Sequence, residues 1–131
     1  MYSIRLIDRS KDMKYIVEWW KEHGWTPVHP YMLSETGYIV EHEGQPIVAG
    51  WYVRTNGGAA LLEWIVKNPL SSPKVFERAF DILVDSIEEY AKEDGYLMLI
   101  TFIEHGNLKK YLTRKKYLEG DKALDIYVKG L

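Results

Sequence analysis

The chain has 131 residues, a length that suits one core, and we expect residues 1–131 to form a single domain. Apolar residues make up 47% and charged residues 27%, which is typical of globular proteins, and the net charge of −2 offers no general attraction to nucleic acid or an anionic membrane. The absence of cysteine excludes disulfides, thiolate metal sites and a cysteine nucleophile. No apolar run approaches the ~20 residues of a membrane-spanning helix, and the N-terminus lacks the apolar stretch of a secretory signal, so a cytoplasmic location is expected.

The first third of the chain predicts one strand and one helix. Alternating apolar residues predict a half-buried strand over residues 2–7. A helix is predicted near residues 11–23, with Ser10 as its N-cap and Gly24 as the glycine that ends it. Residues 25–33 contain two prolines and are expected to be irregular.

A meander of three strands is predicted next, over residues 38–43, 47–54 and 60–67. The first two strands are separated by a Glu-Gly-Gln-Pro turn, and Asn56-Gly57-Gly58 is a strong hairpin signal before the third. The strongest helix pattern follows, because apolar residues recur every three or four positions over residues 73–94. Ser72 is a fitting N-cap for this helix and Pro73 a fitting first residue.

The last third predicts a strand, a helix and a strand. Residues 96–103 are almost uniformly apolar, which is typical of a central strand covered on both faces. A short basic helix is expected over residues 107–116 and a final strand over residues 123–128. The whole order predicts an α/β sandwich, with a mixed, mostly antiparallel sheet and helices on both faces.

This order of elements resembles the GNAT superfamily of acyl-CoA N-acyltransferases over essentially the whole chain. Residues 62–69, Leu-Glu-Trp-Ile-Val-Lys-Asn-Pro, are similar to the family's fourth strand, and residues 96–103 to its fifth. Asn107 and the basic segment ending at Lys116-Tyr117 are similar to the asparagine, short helix and Gly-Phe that follow in the family. The resemblance implies that acetyl-CoA, or another acyl-CoA, binds in a cleft where the fourth and fifth strands splay.

The resemblance also implies roles for individual residues. The backbone of Ile65 and Val66 would pair with the pantetheine arm and polarise the thioester carbonyl, and Asn107 would contact the same arm. Glu63 stands where family members often carry a general base. The alternative for Glu63 is a solvent-facing carboxylate, or one paired with Arg54 across the hairpin. The family's general-acid tyrosine falls by position at Leu112 or Thr113, so the neighbouring Tyr111 is the candidate acid.

The chain departs from the family at the pyrophosphate loop. Residues 70–76 contain no glycine, and Pro73 removes one backbone donor. The remaining candidates to hold the pyrophosphate are Ser71, Ser72 and Lys74 at the start of the long helix. The alternative is an ordinary helix N-cap. In this respect the chain is similar to the short, glycine-poor versions of the fold that occur in bacteriophages.

Two functions follow from these residues. The first is an acyl-CoA-dependent N-acyltransferase that moves an acetyl group to a primary amine. The second is a non-catalytic binding or structural protein that has kept the fold and lost the cofactor. Trp19, Trp20 and Trp25 are candidates for a protein-partner or homodimer surface, because two adjacent tryptophans on a helix should not both face one core. The alternative is that Trp20 packs in the core while Trp19 covers the following loop. The basic residues 109–116 could neutralise a cofactor phosphate or contact nucleic acid, but they are interpreted as a solvated helix face.

Overall fold

The computed structural model describes residues 1–103, 106–120 and 126–131, with residues 106 and 107 described by their backbone alone. In the described part of the chain, five strands and three α-helices follow the predicted order. They are β1 (Tyr2–Leu6), α1 (Arg9–Glu22), a 3-10 turn (Pro30–Met32), β2 (Gly37–His42), β3 (Gln45–Val53), β4 (Ala59–Lys67), α2 (Pro73–Glu93), β5 (Met98–Thr101) and α3 (Gly106–Arg114).

The strands form one sheet in the order β1-β2-β3-β4-β5. The first four strands make an antiparallel meander, and β5 adds to β4 in parallel after the α2 crossover. Helix α1 packs on one face of the sheet, and α2 and α3 pack on the other. The predicted mixed, mostly antiparallel sheet with helices on both faces is therefore confirmed. None of the helices in the described ranges is both long and apolar enough to cross a membrane.

The core under α1 is built around tryptophan. Trp20 stacks on Trp51 of β3 with ring centroids 5.9 Å apart, and Trp19 packs on Tyr15. Trp19 is 6% exposed and Trp20 is 1% exposed, so both belong to the core rather than to a partner surface. Both rings are covered because residues of the 25–33 segment, including Leu33, join the same apolar cluster. A partner or homodimer surface in this region stays a prediction.

The core under α2 joins the meander to the two later helices. Phe76 and Phe80 of α2 contact Tyr111 of α3, with ring centroids 5.8 and 5.6 Å apart. Ion pairs tie the same two helices together at the surface. Arg114 pairs with Glu77 and Asp81, and Lys115 pairs with Asp81 and Asp85. Much of the charge in the basic segment therefore fixes α3 against α2.

The two long helices begin differently. Helix α2 starts as predicted, with the Ser72 hydroxyl accepting the Val75 N–H at 3.3 Å and Pro73 in the first position. Helix α1 is capped by Asp8 rather than Ser10, because the Asp8 carboxylate accepts the Ser10 N–H at 3.0 Å. An ionised carboxylate two residues earlier takes the capping position that the Ser10 hydroxyl was expected to fill.

The last predicted strands differ most from the structure. Strand β5 is shorter than residues 96–103 and is covered on one face only. Met98 is 66% exposed, Ile100 40% and Phe102 52%, because α1 lies over β2, β3 and β4 and does not reach β5. Of the predicted strand at residues 123–128, the described residues 126–128 have no regular structure, and residues 121–125 lie outside the described ranges.

Candidate functional site

A cleft opens where β4 and β5 stop pairing. The parallel ladder runs from Ala59 opposite Met98 to Leu62 opposite Thr101 and ends there. Strand β4 continues to Lys67 and remains paired with β3, but residues 63–67 have no described strand on their other side. Glu63 is therefore the first β4 residue past the end of the ladder, where the splay expected from the sequence would begin.

A β-bulge in β4 sits at the start of this cleft. Trp51 lies opposite Glu63 and Ala49 opposite Val66, so two residues of β4, Trp64 and Ile65, face one residue of β3. Trp64 has a φ of 57°, in the left-handed region that a bulge can impose on a non-glycine residue. The extra residue resets the alternation along β4. Glu63 and Trp64 lie on the α1 side, whereas Ile65 joins the core on the α2 side.

The free edge of β4 presents backbone groups to the cleft. The Asn68 N–H donates to the Ile47 carbonyl at 2.7 Å, so Asn68 points its backbone groups at β3. Because direction alternates along a regular strand, Val66 also points at β3, whereas Lys67 points into the cleft. His23 confirms this direction for Lys67, since its Nε2–H donates to the Lys67 carbonyl at 3.0 Å. Ile65 lies in the bulge, where the alternation is interrupted, so its predicted backbone contact stays a prediction.

A cavity of about 300 Å³ lies at this edge. Its walls come from the end of β4, the first turn of α2, one face of α3 and the residues after α1. They are His23, Trp25, Ile65, Lys67, Pro73, Phe76, Leu108, Lys110 and Tyr111. The cavity thus brings together two residues that were predicted for the site, Ile65 and Tyr111. Glu63, Ser71, Ser72 and Lys74 do not line it.

Glu63 is half-buried at the mouth of the splay. Burial raises the pKa of its carboxyl above the ordinary value of 4.5, and the adjacent Trp64 indole N–H opposes that shift. The opposition is weak, because that buried N–H makes no hydrogen bond of good geometry in the described structure. Arg54 does not pair with Glu63, since its guanidinium donates to Asp94 at 2.9 Å. A half-buried carboxylate with a raised pKa is the kind of group that can accept a proton near neutral pH.

The loop before α2 uses most of its own hydrogen-bonding groups. The Leu70 N–H donates to the Asn68 side chain and the Ser71 N–H to the Asn68 carbonyl, both at 3.0 Å. The Ser71 hydroxyl donates to the same carbonyl at 2.7 Å, and the Ser72 hydroxyl accepts the Val75 N–H. With Pro73 lacking an N–H, the described first turn of α2 keeps few donors for an anion.

Tyr111 is 8% exposed and forms part of the cavity wall. Its ring packs against Phe76 and Phe80, and two cations approach the ring, Lys110 at 5.1 Å and Arg114 at 5.5 Å from the centroid. The side chain of Asn107, the other candidate on this helix, lies outside the described residues. Its backbone belongs to α3 near the helix start.

Sequence reasoning missed several cavity residues. Lys67 could have been found, because it lies two positions after Ile65 and therefore on the same side of β4 beyond the bulge. Lys110 was considered among the cations that could neutralise a cofactor phosphate, but it was interpreted as part of a solvated helix face. Phe76 was assigned to the core alone. His23 comes from the far end of the chain, and no local pattern links it to β4.

Comparison with known proteins gives a consistent fold. No protein-family model matches the chain, and no curated protein matches it. Among solved structures, glucosamine-6-phosphate N-acetyltransferase from Arabidopsis thaliana is 13% identical with a TM-score of 0.68, over 98% of this chain and 99% of that one. A predicted acetyltransferase with acetyl-CoA from Clostridium acetobutylicum is 15% identical with a TM-score of 0.66, over 97% and 96%.

N-acetylglutamate synthase from Neisseria gonorrhoeae, complexed with coenzyme A and N-acetyl-glutamate, is 17% identical with a TM-score of 0.63. The match covers 88% of this chain but only 28% of the synthase. These structures are GNAT acetyltransferases, so the chain has the GNAT fold that its sequence resembles. At such low identities the similarity establishes the fold, and function has to be argued from the site.

Proposed function

We propose that the protein is an acyl-CoA-dependent N-acyltransferase that moves an acetyl group from acetyl-CoA to a primary amine. The observation that carries the proposal is the end of the β4–β5 ladder at Leu62 and Thr101, with a cavity beside the free edge of β4. A narrow arm that ends in a thioester matches a cavity of about 300 Å³ with largely apolar walls. Solved structures with the same fold include one described with acetyl-CoA and one with coenzyme A.

In the proposed reaction, the thioester carbonyl lies against the Ile65 backbone at the bulge. A backbone N–H directed into the cleft stabilises the negative charge that develops on the carbonyl oxygen when the amine attacks. Direct attack forms the new C–N bond and breaks the C–S bond, so catalysis rests on positioning and on proton transfer.

Glu63 takes the proton that the attacking ammonium must lose, through a water molecule at the mouth of the splay. The departing thiolate takes up a proton, for which Tyr111 on the cavity wall is the candidate donor, and the second proton lost by the attacking nitrogen restores the tyrosine. Because the pKa of Glu63 is raised by burial, its basic form is lost at a higher pH than that of an exposed glutamate. Activity should therefore fall on the acid side as Glu63 becomes protonated.

Ligand-dependent stability provides the first test. A ligand present at 100 times its dissociation constant should raise the free energy of unfolding by ~2.7 kcal/mol. A clear rise in melting temperature with millimolar acetyl-CoA is expected. An unchanged melting temperature would refute the acetyl-transfer proposal and favour the alternative, a binding protein that has lost the cofactor.

Substitution at Glu63 provides the second test. Glu63→Gln should leave the acetyl-CoA-induced shift intact and reduce transfer to an amine by at least ~100-fold, the usual contribution of a general base. Glu22→Gln, at an exposed position on α1, is the matched control and should not change either measurement. Full activity in the Glu63 variant would exclude this residue as the general base. The proposal that the protein binds acetyl-CoA would not be affected.

A further inference from the structure

We infer that Lys67 and Lys110 bind the diphosphate of the acyl-CoA, in place of the amides and hydroxyls at the start of α2. This inference rests on the proposed function, because it concerns the way in which the same cleft holds its cofactor. It assigns the phosphate contact to two side chains that stand on different elements, the end of β4 and the middle of α3.

The start of α2 is a poor anion site because most of the polar groups in the loop before it already make local hydrogen bonds. Asn68 accepts hydrogen bonds from the Leu70 N–H, the Ser71 N–H and the Ser71 hydroxyl. The Ser72 hydroxyl accepts the Val75 N–H. A phosphate at this place would have to displace these local bonds, and Pro73 offers no N–H in return. The helix dipole remains, but it contributes little without donors that converge on the anion.

Among the described residues, Lys67 and Lys110 are the two lysines on the cavity wall. Neither forms an ion pair with a described residue, whereas Lys109 and Arg114 on α3 and Lys115 just after it are all paired with carboxylates. None of the described residues that line the cavity is acidic. An anion that enters therefore meets two cations without having to compete with a carboxylate on the wall.

Each of these cations lies over an aromatic ring, and the two rings are neighbours. The Lys67 ammonium lies 5.1 Å from the centroid of the Phe76 ring, and the Lys110 ammonium lies 5.1 Å from that of Tyr111. The two rings are themselves in edge contact, with centroids 5.8 Å apart. Contact with the ring faces restrains the flexible lysine stems, so less conformational entropy is lost when a phosphate binds between them.

This arrangement defines a ligand class: an apolar arm that carries at least one phosphate. Lysines bind phosphate as point charges, whereas a glycine-rich cradle imposes a fixed geometry on the diphosphate. Binding through lysines should weaken steeply with salt. It should also accept a donor with a single phosphate, such as acetyl-4′-phosphopantetheine, better than a donor with none.

The test compares acetyl-CoA with acetylpantetheine, which lacks phosphate, by calorimetric titration of the full chain. Lys67→Gln and Lys110→Gln should each weaken acetyl-CoA binding by roughly tenfold, the effect of losing one charge-assisted hydrogen bond. Neither variant should change the affinity for acetylpantetheine. Lys110→Arg keeps the charge and should retain most of the affinity for acetyl-CoA. Lys116→Gln removes an exposed cation from the same segment and is the matched control.

Three outcomes separate the possibilities. If Lys74→Gln weakens acetyl-CoA binding and the Lys67 and Lys110 variants bind normally, the start of α2 holds the diphosphate and the inference is overturned. If both cavity variants lose acetyl-CoA and acetylpantetheine equally, the lysines support the cavity wall rather than the phosphate, and the inference is again overturned. If the unmodified protein binds neither ligand, the proposed function itself fails.

Discussion

Asp12 is a carboxylate whose replacement has a calculable effect. Its side chain is only 3% exposed and accepts hydrogen bonds from the Arg5 guanidinium at 2.7 and 3.0 Å, from the Asp8 N–H at 2.7 Å and from the Tyr15 hydroxyl. These bonds tie β1 to the first turn of α1. We predict that Asp12→Asn destabilises the protein markedly. In the variant an amide N–H faces hydrogen-bond donors at a position where a carboxylate oxygen accepted their bonds.

The magnitude follows from the pKa of Asp12. Burial alone would raise the pKa, but the bonds from Arg5, Tyr15 and Asp8 overcome that effect and hold it at about 2 against an ordinary 3.8. A depressed pKa contributes stability that is complete above the unfolded value and is lost as the pH falls through the folded value. The difference corresponds to about 2 kcal/mol at pH 7. Arg5 keeps its pair with Glu41, so the further cost comes from the hydrogen-bond donors left facing the amide, for a total of about 3–5 kcal/mol.

Urea unfolding followed by tryptophan fluorescence measures both parts of the prediction. The stability gap between the protein and Asp12→Asn should narrow by about 1 kcal/mol between pH 7 and pH 3, since part of the charge-dependent stability is lost over that interval. Glu22→Gln, at an exposed position on the same helix, should stay within about 0.5 kcal/mol. A cost below about 1 kcal/mol at pH 7, or a gap that is the same at both pH values, would contradict the reasoning.

Two further substitutions test the packing around the site. Gly37→Ala would bring a Cβ within 2.5 Å of the Trp51 indole nitrogen, so it should lower the free energy of unfolding by about 1–3 kcal/mol in thermal unfolding. Gly58→Ala meets no atom within 4 Å and should not show that loss. Phe76→Ala should lower the free energy of unfolding by about 3–5 kcal/mol in urea and remove the ring that Lys67 contacts, so acetyl-CoA affinity should also fall. Unchanged affinity would show that the ring does not position the lysine.

The sequence was most informative where a local pattern decides the structure. Helix α2 was predicted closely because Ser72, Pro73 and the apolar spacing act within a few residues of one another. The N-cap of α1 was missed because Asp8 and Ser10 are both good caps, and only the chain path out of β1 selects between them. The apolar run that contains β5 was misjudged because an edge strand and a central strand can have the same composition.

The candidate site was predictable only in part. The splay and the position of Glu63 were expected from the resemblance to a known fold. The bulge at Trp64 and Ile65 was not, because one extra residue in a strand leaves no mark in the apolar pattern until the pairing partner is known. For the same reason Ile65 and Val66 could not be distinguished. The hydrogen bond from His23 to the Lys67 carbonyl joins residues 44 positions apart, so it depends on tertiary packing.

The strand order of this sheet has a consequence for the way the molecule opens. Strands β1 to β4 are neighbours in both sequence and space, whereas β5 joins β4 only across the whole of α2. Pairings that close long segments form late and carry the larger entropic cost. The cleft therefore lies beside the strand pairing that we expect to open first. In hydrogen exchange, amides of β5 should exchange before those of β3, so that the cleft can widen while the meander stays folded.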